Sequence, residues 1–169
     1  MNPDAPFPWY AVQVRTKGES LVRTLLERKE YEIFLPTYQE VRKYSDRMKK
    51  IDAALFPGYL FCRMDVTRRL PILKTPGVHG ILGADGEPTP IPDTEIVAIQ
   101  RVIGSGARVG PWPFLKAGDV VRVERGAFAG VTGILVTERG VDRLILSVEM
   151  LQRSVSVEID RTWIRPMKA

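Results

Sequence analysis

The chain has very little of the side-chain chemistry that metal sites and many enzymes use. Its 169 residues include one cysteine, Cys62, and one histidine, His79. A lone cysteine cannot form an internal disulfide, which fits a reducing cytoplasm. Structural zinc needs four ligands, and a Ser-His-Asp or Cys-His centre would have to be built on His79 alone. We therefore expect no metal, no catalytic residue and no enzyme activity.

Long apolar runs are also missing. No run approaches the roughly 18 residues that a membrane-spanning helix needs. The first ten residues, MNPDAPFPWY, have neither the basic n-region nor the apolar h-region of a signal peptide. We expect a cytoplasmic protein without a membrane partner.

The glycine-rich segment Gly126–Gly133 (GAFAGVTG) does not predict a nucleotide site. A dinucleotide-binding loop should open a helix, but a β-branched run follows this segment, and the chain has no GK[ST] motif. Three glycines and an aromatic residue between two strands are typical of a tight turn instead. We expect no cofactor.

The composition is that of a globular protein, with 44% hydrophobic and 27% charged residues and a net charge of +5. Residues 104–117 (GSGARVGPWPFLKA) contain three glycines and two prolines, which is linker composition. We predict a flexible N-terminus (1–8), a first domain (9–103), a linker (104–117) and a second domain (118–169).

The first domain mixes strand and helix periods, which predicts helices packed on a sheet. Its predicted helices are Glu19–Lys29, Arg68–Lys74 with Thr67 as N-cap, and one that begins at Asp93 or Thr94. Its predicted strands are Trp9–Val14, Ile33–Leu35, Tyr59–Met64 and Val78–Leu82, with a hairpin of Tyr38–Ser45 and Met48–Ala53. His79 is interpreted as a strand residue at a sheet edge.

The second domain has only strand patterns. Short alternating runs at about ten-residue spacing are typical of a small all-β barrel. The predicted strands are Val120–Val123, Val131–Val136, Arg143–Val148 and Ser154–Ile159.

The segment Phe56-Pro57-Gly58-Tyr59-Leu60-Phe61 allows two interpretations. Alternation places Leu60, Cys62 and Met64 on one face as core, with Cys62 a small buried hydrophobe. Tyr59, Phe61 and Arg63 lie on the other face. That face is either a second core layer beneath a helix or an exposed patch that contacts a partner.

Basic residues cluster in two places. The hairpin carries five (Arg42, Lys43, Arg47, Lys49 and Lys50) and one acid, Asp46. It is either solvated or contacts phosphates or an acidic protein face. The segment Arg15-Thr16-Lys17-Gly18 and the pair Arg68-Arg69 would form a second positive stripe if they meet at one edge of the sheet.

Five segments together resemble one family. WYAVQVR (from Trp9), FLPTY (from Phe34), LFPGYLF (from Leu55) and KTPGVHGILG (from Lys74) resemble the NusG N-terminal (NGN) domain. Residues 118–136, GDVVRVERGAFAGVTGILV, resemble a KOW motif with Gly126, Phe128, Gly130 and Gly133. The resemblance implies an α+β fold. Its first part would be an NGN α/β sandwich, with a mainly antiparallel sheet and flanking helices, and its second part a small Src-homology-3-like β-barrel. Within the family, the chain looks more like specialised paralogues such as the UpxY-type antiterminators and RfaH.

The resemblance also implies a function. Such a factor binds the clamp helices of the largest subunit of bacterial RNA polymerase, favours the closed elongating state, and reduces pausing or termination. Through the resemblance, the polymerase-binding residues would be Trp9, Phe34, Phe56, Pro57, Tyr59 and Phe61.

Two further contacts are implied by the family. Lys17, Arg68 and Arg69 lie where it meets the non-template DNA strand or the polymerase lobe. Thr67-Arg68-Arg69 replaces the histidine-bearing motif of RfaH-like proteins, which favours backbone over base contact. The KOW barrel would contact a small-subunit ribosomal protein or Rho. We expect a monomer.

A KOW-type RNA-binding or ribosome-associated protein is the alternative, since the KOW motif also occurs there. The charge of residues 118–169, with eight basic and seven acidic residues, is modest for an RNA-binding domain. The sequence leaves open which operons would be served and whether the barrel converts to a helical hairpin, as RfaH-like barrels can.

Overall fold

The structure, a computed structural model, describes residues 6–167. It forms two compact units, of which the first ends at Asp93 and the second begins at Thr94. The division lies before the predicted linker, because the third helix is grouped with the strands that follow it. The predicted boundaries at 104 and 117 remain a prediction. Of the predicted N-terminus, residues 1–5 lie outside the described residues, and residues 6–8 are exposed.

The first unit is built on a four-stranded antiparallel sheet. The strands of the unit are β1 (Trp9–Val14), β2 (Ile33–Phe34), β3 (Thr37–Lys43), β4 (Met48–Ala54), β5 (Tyr59–Arg63), β6 (Val78–Ile81), β7 (Gly83–Ala84) and β8 (Glu87–Pro88). The main sheet has the order β2-β5-β1-β6, while β3 pairs with β4 and β7 with β8 in two separate ribbons. The strands predicted near residues 9, 33, 59 and 78 are confirmed to within one residue at each end.

One face of the main sheet carries the helical layer predicted from the sequence. Helix α1 (Glu19–Arg28) buries Val22 and Leu26, since its apolar residues recur at helical spacing. These side chains share a core with Leu60, Cys62 and Met64 of β5 and its extension. This face of β5 is therefore core, as predicted.

The link between β5 and helix α2 (Leu70–Leu73) differs from the prediction. A 3₁₀ turn (Val66–Arg68) precedes α2. Asp65 caps this turn, because its carboxylate accepts the Thr67 backbone N–H at 3.0 Å. The prediction of Thr67 as N-cap is wrong, because the Asp65 carboxylate also accepts the Thr67 hydroxyl at 2.6 Å. The same hydrogen bonds lower the pKa of Asp65.

Strands β3 and β4 form a hairpin that is paired without a break. The pairing runs from Thr37 opposite Ala54 to Lys43 opposite Met48. Its outer half, residues 41–50, consists of exposed residues alone. We call these ten residues the arm. The predicted hairpin is confirmed, with its turn at residues 44–47, where the Tyr44 N–H donates to the Arg47 carbonyl at 2.8 Å.

The second unit begins at the second residue of helix α3 (Asp93–Gly104). It also contains a six-stranded antiparallel sheet of order β14-β10-β11-β12-β13-β9. The strands are β9 (Val109–Trp112), β10 (Asp119–Val123), β11 (Thr132–Glu138), β12 (Val141–Val148), β13 (Arg153–Glu158) and β14 (Ile164–Pro166). Four of them confirm the strands predicted for the barrel, and α3 begins at a predicted residue.

Strand β9 was not predicted, and it lies inside the stretch interpreted as linker. Gly110 and Pro111, which lie in β9, are two of the five glycines and prolines that gave this stretch its linker composition. Pro111 is tolerated because β9 is the edge strand beside β13, where one side needs no N–H donor.

Candidate functional site

Four of the five aromatic residues predicted to bind polymerase, Trp9, Phe34, Phe56 and Phe61, form one cluster in the first unit. The Phe34 and Phe61 rings are stacked with centroids 6.0 Å apart, and Phe56 meets Phe61 edge-on at 5.7 Å. Trp9 meets the Phe34 ring edge-on at 6.4 Å. The Arg63 guanidinium lies 4.6 Å from the centre of the Trp9 ring. The structure thus brings these predicted residues together.

Their exposure differs from that of a simple surface patch. Phe61, Phe56 and Trp9 are 0%, 1% and 2% exposed, so these three side chains are core in this structure. Phe34 and Tyr59 are half-buried and Pro57 is exposed. Of the two interpretations of the Phe61 side of β5, a second core layer holds at Phe61, whereas Tyr59 and Arg63 on the same side are half-buried. The role of the six residues in polymerase binding remains a prediction.

The three basic residues predicted to contact DNA or polymerase differ in exposure and in the contacts that they make within the chain. Lys17 and Arg68 are exposed. Arg69 is half-buried; it donates to the Val66 carbonyl at 2.9 Å and pairs with Glu87 at 4.0 Å. Arg69 is thus partly committed to its own fold, and its nucleic-acid role remains a prediction together with those of Lys17 and Arg68.

Sequence reasoning missed the role of Glu19. Its Oε1 accepts the backbone N–H groups of Lys17 and Gly58, both at 3.1 Å, and the residue is 7% exposed. Lys17 and Gly58 have left-handed backbones, with φ of +67° and +84°. One buried carboxylate therefore joins the loop that carries Lys17 to the turn that carries Pro57. The only sequence signal was an acid in the first turn of α1.

The KOW residues act as framework of the barrel. Gly126 has φ of +87° and lies against Trp163, whose Cζ3 would be 2.9 Å from an added Cβ. A Cβ at Gly133 would lie 2.6 Å from the Ile145 carbonyl oxygen. Phe128 is buried, and the Gly130 N–H donates to the Val123 carbonyl at 2.6 Å. These residues close the β10–β11 connection, as expected for a tight turn.

Two titratable groups have strongly shifted pKa values, one in each unit, for different physical reasons. Burial, with a smaller contribution from Glu32, raises the pKa of the Cys62 thiol to about 12. In the barrel, hydrogen bonds from Arg161 and then Thr137 lower the pKa of Asp142 to about 2. Arg161 Nη2 and Nε reach the two Asp142 carboxylate oxygens at 2.9 Å and 3.1 Å.

Within residues 6–167, no group of three or more histidine, cysteine, aspartate or glutamate side chains is placed to hold a metal ion. In the same part of the chain, no helix is long and apolar enough to cross a membrane.

Comparison with known proteins identifies the family. The family model described as "Transcription termination factor nusG" matches residues 7–100, which is more than half of the chain. The chain belongs to the NusG family. It is a NusG-like transcription factor, and its α+β fold is the one that the resemblance implied.

Bacterial relatives match the NusG-family chain over most of its length. The "Transcription termination/antitermination protein NusG" of Helicobacter pylori strain J99 is 32% identical over 89% of this chain and 93% of its own. The protein of the same name in Lactococcus lactis is 32% identical over 95% of this chain and 94% of its own. The protein of the same name in Escherichia coli K12 is 30% identical over 90% of this chain and 92% of its own. These relatives carry the NusG name, and the resemblance to specialised paralogues remains a prediction.

A solved structure, "Domain interaction in Thermotoga maritima NusG", is similar with a TM-score of 0.58. It covers 95% of this chain and 97% of that chain at 23% identity. At this identity the similarity concerns the fold alone.

Proposed function

We propose that this chain is an elongation or antitermination factor that binds the clamp helices of the largest subunit of bacterial RNA polymerase. Residues 9–103 would form the polymerase-binding domain, 104–117 the linker, and 118–169 the KOW domain that recruits a further partner. The observation that carries the proposal is the match to relatives named for termination and antitermination over 89% to 95% of this chain.

The aromatic cluster supports a binding surface in which partly exposed residues rest on buried rings. Pro57 is exposed, and Phe34 and Tyr59 are half-buried, while Phe56 and Phe61 lie beneath them in the core. Binding hot spots are typically aromatic residues set in well-packed surroundings. In this proposal, the buried rings hold the outer residues in place for the partner.

The mechanism is a population shift. A factor that binds the closed clamp more tightly than the open one stabilises the closed state by its difference in affinity. Pausing and termination then fall without any bond being made or broken. Lys17, Arg68 and Arg69 would add contacts to the non-template DNA strand or the polymerase lobe, and the KOW barrel would bind a ribosomal protein or Rho.

Comigration with a bacterial elongation complex on a native gel tests the proposal. The unmodified chain should comigrate with the complex. Tyr59→Ala should weaken binding by about 1–2 kcal/mol, as for a hot-spot aromatic, with an unchanged circular dichroism spectrum. Phe7→Ala is the matched control, since Phe7 is 56% exposed and lies outside the predicted set.

Two results would contradict the proposal. Loss of the folded state in Tyr59→Ala would make Tyr59 a core residue. Absence of comigration for the unmodified chain, together with tight and salt-dependent RNA binding, would favour the RNA-binding or ribosome-associated alternative.

The barrel itself gives that alternative little support. Three of its arginines, Arg143, Arg161 and Arg165, already pair with acids of the barrel. Three of the eight basic residues in 118–169 are thus partly neutralised within the barrel, in line with its modest net charge.

A further inference from the structure

Two like charges face each other on the outer face of the barrel sheet, which is the face turned away from the buried Val121 and Val123. Arg122 of β10 is directly opposite Arg165 of β14, and both side chains are exposed. Like charges in this position destabilise an antiparallel pair. Arg165 pairs only loosely with Glu124, at 3.6 Å between exposed side chains, and such pairs are worth little. The two arginines are therefore available to an external anion.

An apolar row lies beside the arginines on the same face. Side chains alternate along a strand, so Val120 shares the face of Arg122, and Met167, just after β14, shares that of Arg165. The Met167 N–H donates to the Val120 carbonyl at 2.9 Å, which continues the strand pairing. Both side chains are 44% exposed. On its other side, Val120 is opposite Ile134 of β11, so the row crosses three strands.

The far end of the row shows how a segment lies on this face. Ile134 is opposite Ile145 of β12, which is 2% exposed. Leu115 crosses this half of the face, because the Ser147 hydroxyl donates to its carbonyl at 3.0 Å and its N–H donates to the Ser154 hydroxyl oxygen at 3.1 Å. The chain thus covers the β12–β13 half with its own apolar segment, while the β10–β14 half is exposed.

The two rows fit a segment that carries carboxylates beside an apolar stripe. Residues two apart in a strand lie about 6.6–6.8 Å apart, which is the distance between the rows. Neighbouring side chains on a helix surface are about 5–6 Å apart, so an amphipathic helix places an acid at a similar distance from its apolar stripe. Arginine binds carboxylates in a planar, two-pronged geometry. Bases stack on aromatic rings, whereas Val120 and Met167 are aliphatic, which favours a protein partner over a nucleic acid.

We propose that the exposed face of β10 and β14 binds an acidic amphipathic segment of a partner protein. Apolar residues of the segment pack on Val120 and Met167, and its carboxylates pair with Arg122 and Arg165. This is the recognition of an amphipathic helix through its apolar face. The proposal rests on the proposed function in one respect, that the second domain recruits a partner, and it adds the surface and the chemistry of that partner.

Fluorescence anisotropy of a labelled peptide with the full-length chain tests this surface without polymerase. The probe is a helix-forming peptide of about 18 residues, made of glutamate, alanine and leucine with the leucines in one stripe. A second probe has glutamine in place of every glutamate. The cation variant is R122Q/R165Q. Its matched control, R108Q/R139Q, changes two exposed cations elsewhere in the second unit and leaves the same net charge of 5 − 2 = +3.

The unmodified chain should bind the glutamate peptide, and the binding should weaken as salt screens the charges. R122Q/R165Q should bind it at least about threefold more weakly, and R108Q/R139Q as the unmodified chain does. R122K/R165K keeps the charge and should retain binding, which shows that a loss is not due to misfolding. V120T/M167Q should bind about tenfold more weakly, because less apolar area is buried, with an unchanged circular dichroism spectrum.

Equal weakening by R108Q/R139Q would overturn the proposal, because net charge alone would then explain binding. Equal affinity for the glutamine peptide would overturn it as well, and so would no binding of the glutamate peptide up to about 1 mM. Tighter binding to labelled oligouridylate, lost in R122Q/R165Q, would overturn it in favour of a nucleic acid. Comigration of R122Q/R165Q with the elongation complex is scored separately, so failure of this surface is distinguishable from failure of polymerase binding.

Discussion

Strand β5 and the arm are antiparallel strand segments of the same unit with opposite surroundings. In β5, the three central residues, Leu60, Phe61 and Cys62, are all 0% exposed, so both faces are covered along the middle of the strand. Every residue of the arm is exposed. The arm cannot be buried in the same way, since unpaired charges are too costly to remove from water. In this unit, the charge of the arm accounts for its exposure, whereas alternation alone would allow either outcome.

The largest difference should appear in stability. Phe61→Ala removes a buried ring that contacts Phe34 and Phe56, and should lower the free energy of unfolding by about 3–5 kcal/mol. Met48→Ala in the arm should change it by no more than about 0.5 kcal/mol. Urea denaturation followed by circular dichroism measures both. A loss below about 1 kcal/mol for Phe61→Ala would mean that its side of β5 is not core.

Thiol reactivity offers a second contrast. The Cys62 pKa is raised to about 12, so its thiol stays protonated until the pH approaches that value. A cysteine introduced in the exposed turn by Ser45→Cys should have a pKa near 8.5. At about pH 8, the new thiol should react with iodoacetamide roughly a thousandfold faster than Cys62. Two thiols that react at similar rates would show that β5 opens readily.

A smaller effect is expected at Glu19, which connects the turn before β5 to the loop after β1. Glu19→Ala should cost about 1–3 kcal/mol, because the N–H groups of Lys17 and Gly58 lose their acceptor. Glu19→Gln keeps an oxygen acceptor and should cost about 1 kcal/mol or less. Thermal unfolding of both variants gives the comparison. Equal losses for the two would indicate that the negative charge, rather than the hydrogen bonds, is what stabilises the loops.

The sequence predicted most elements, because their periodicity is local. Strand β9 was missed because Gly110 and Pro111 are typical of linkers, and its role depends on pairing with β13, more than 40 residues later in the chain. Strand β14 has three residues, too few for a period to show.

The candidate site was less predictable for the same physical reason. Alternation assigned Phe61 to a face of β5, but whether that face is covered depends on distant parts of the chain. The bridge from Glu19 to Gly58 likewise joins residues 39 apart in sequence. The basic hairpin was predicted as a unit, since its turn and its charges are contiguous.

We propose that this NusG-family chain favours the elongating state of bacterial RNA polymerase. The most direct measurement is the dwell time of the polymerase at a defined pause site, in single-round transcription with and without the full-length chain. The proposed population shift predicts a shorter dwell time that saturates as the chain fills its site. An unchanged or longer dwell time, with binding shown on the same complex, would contradict the claim.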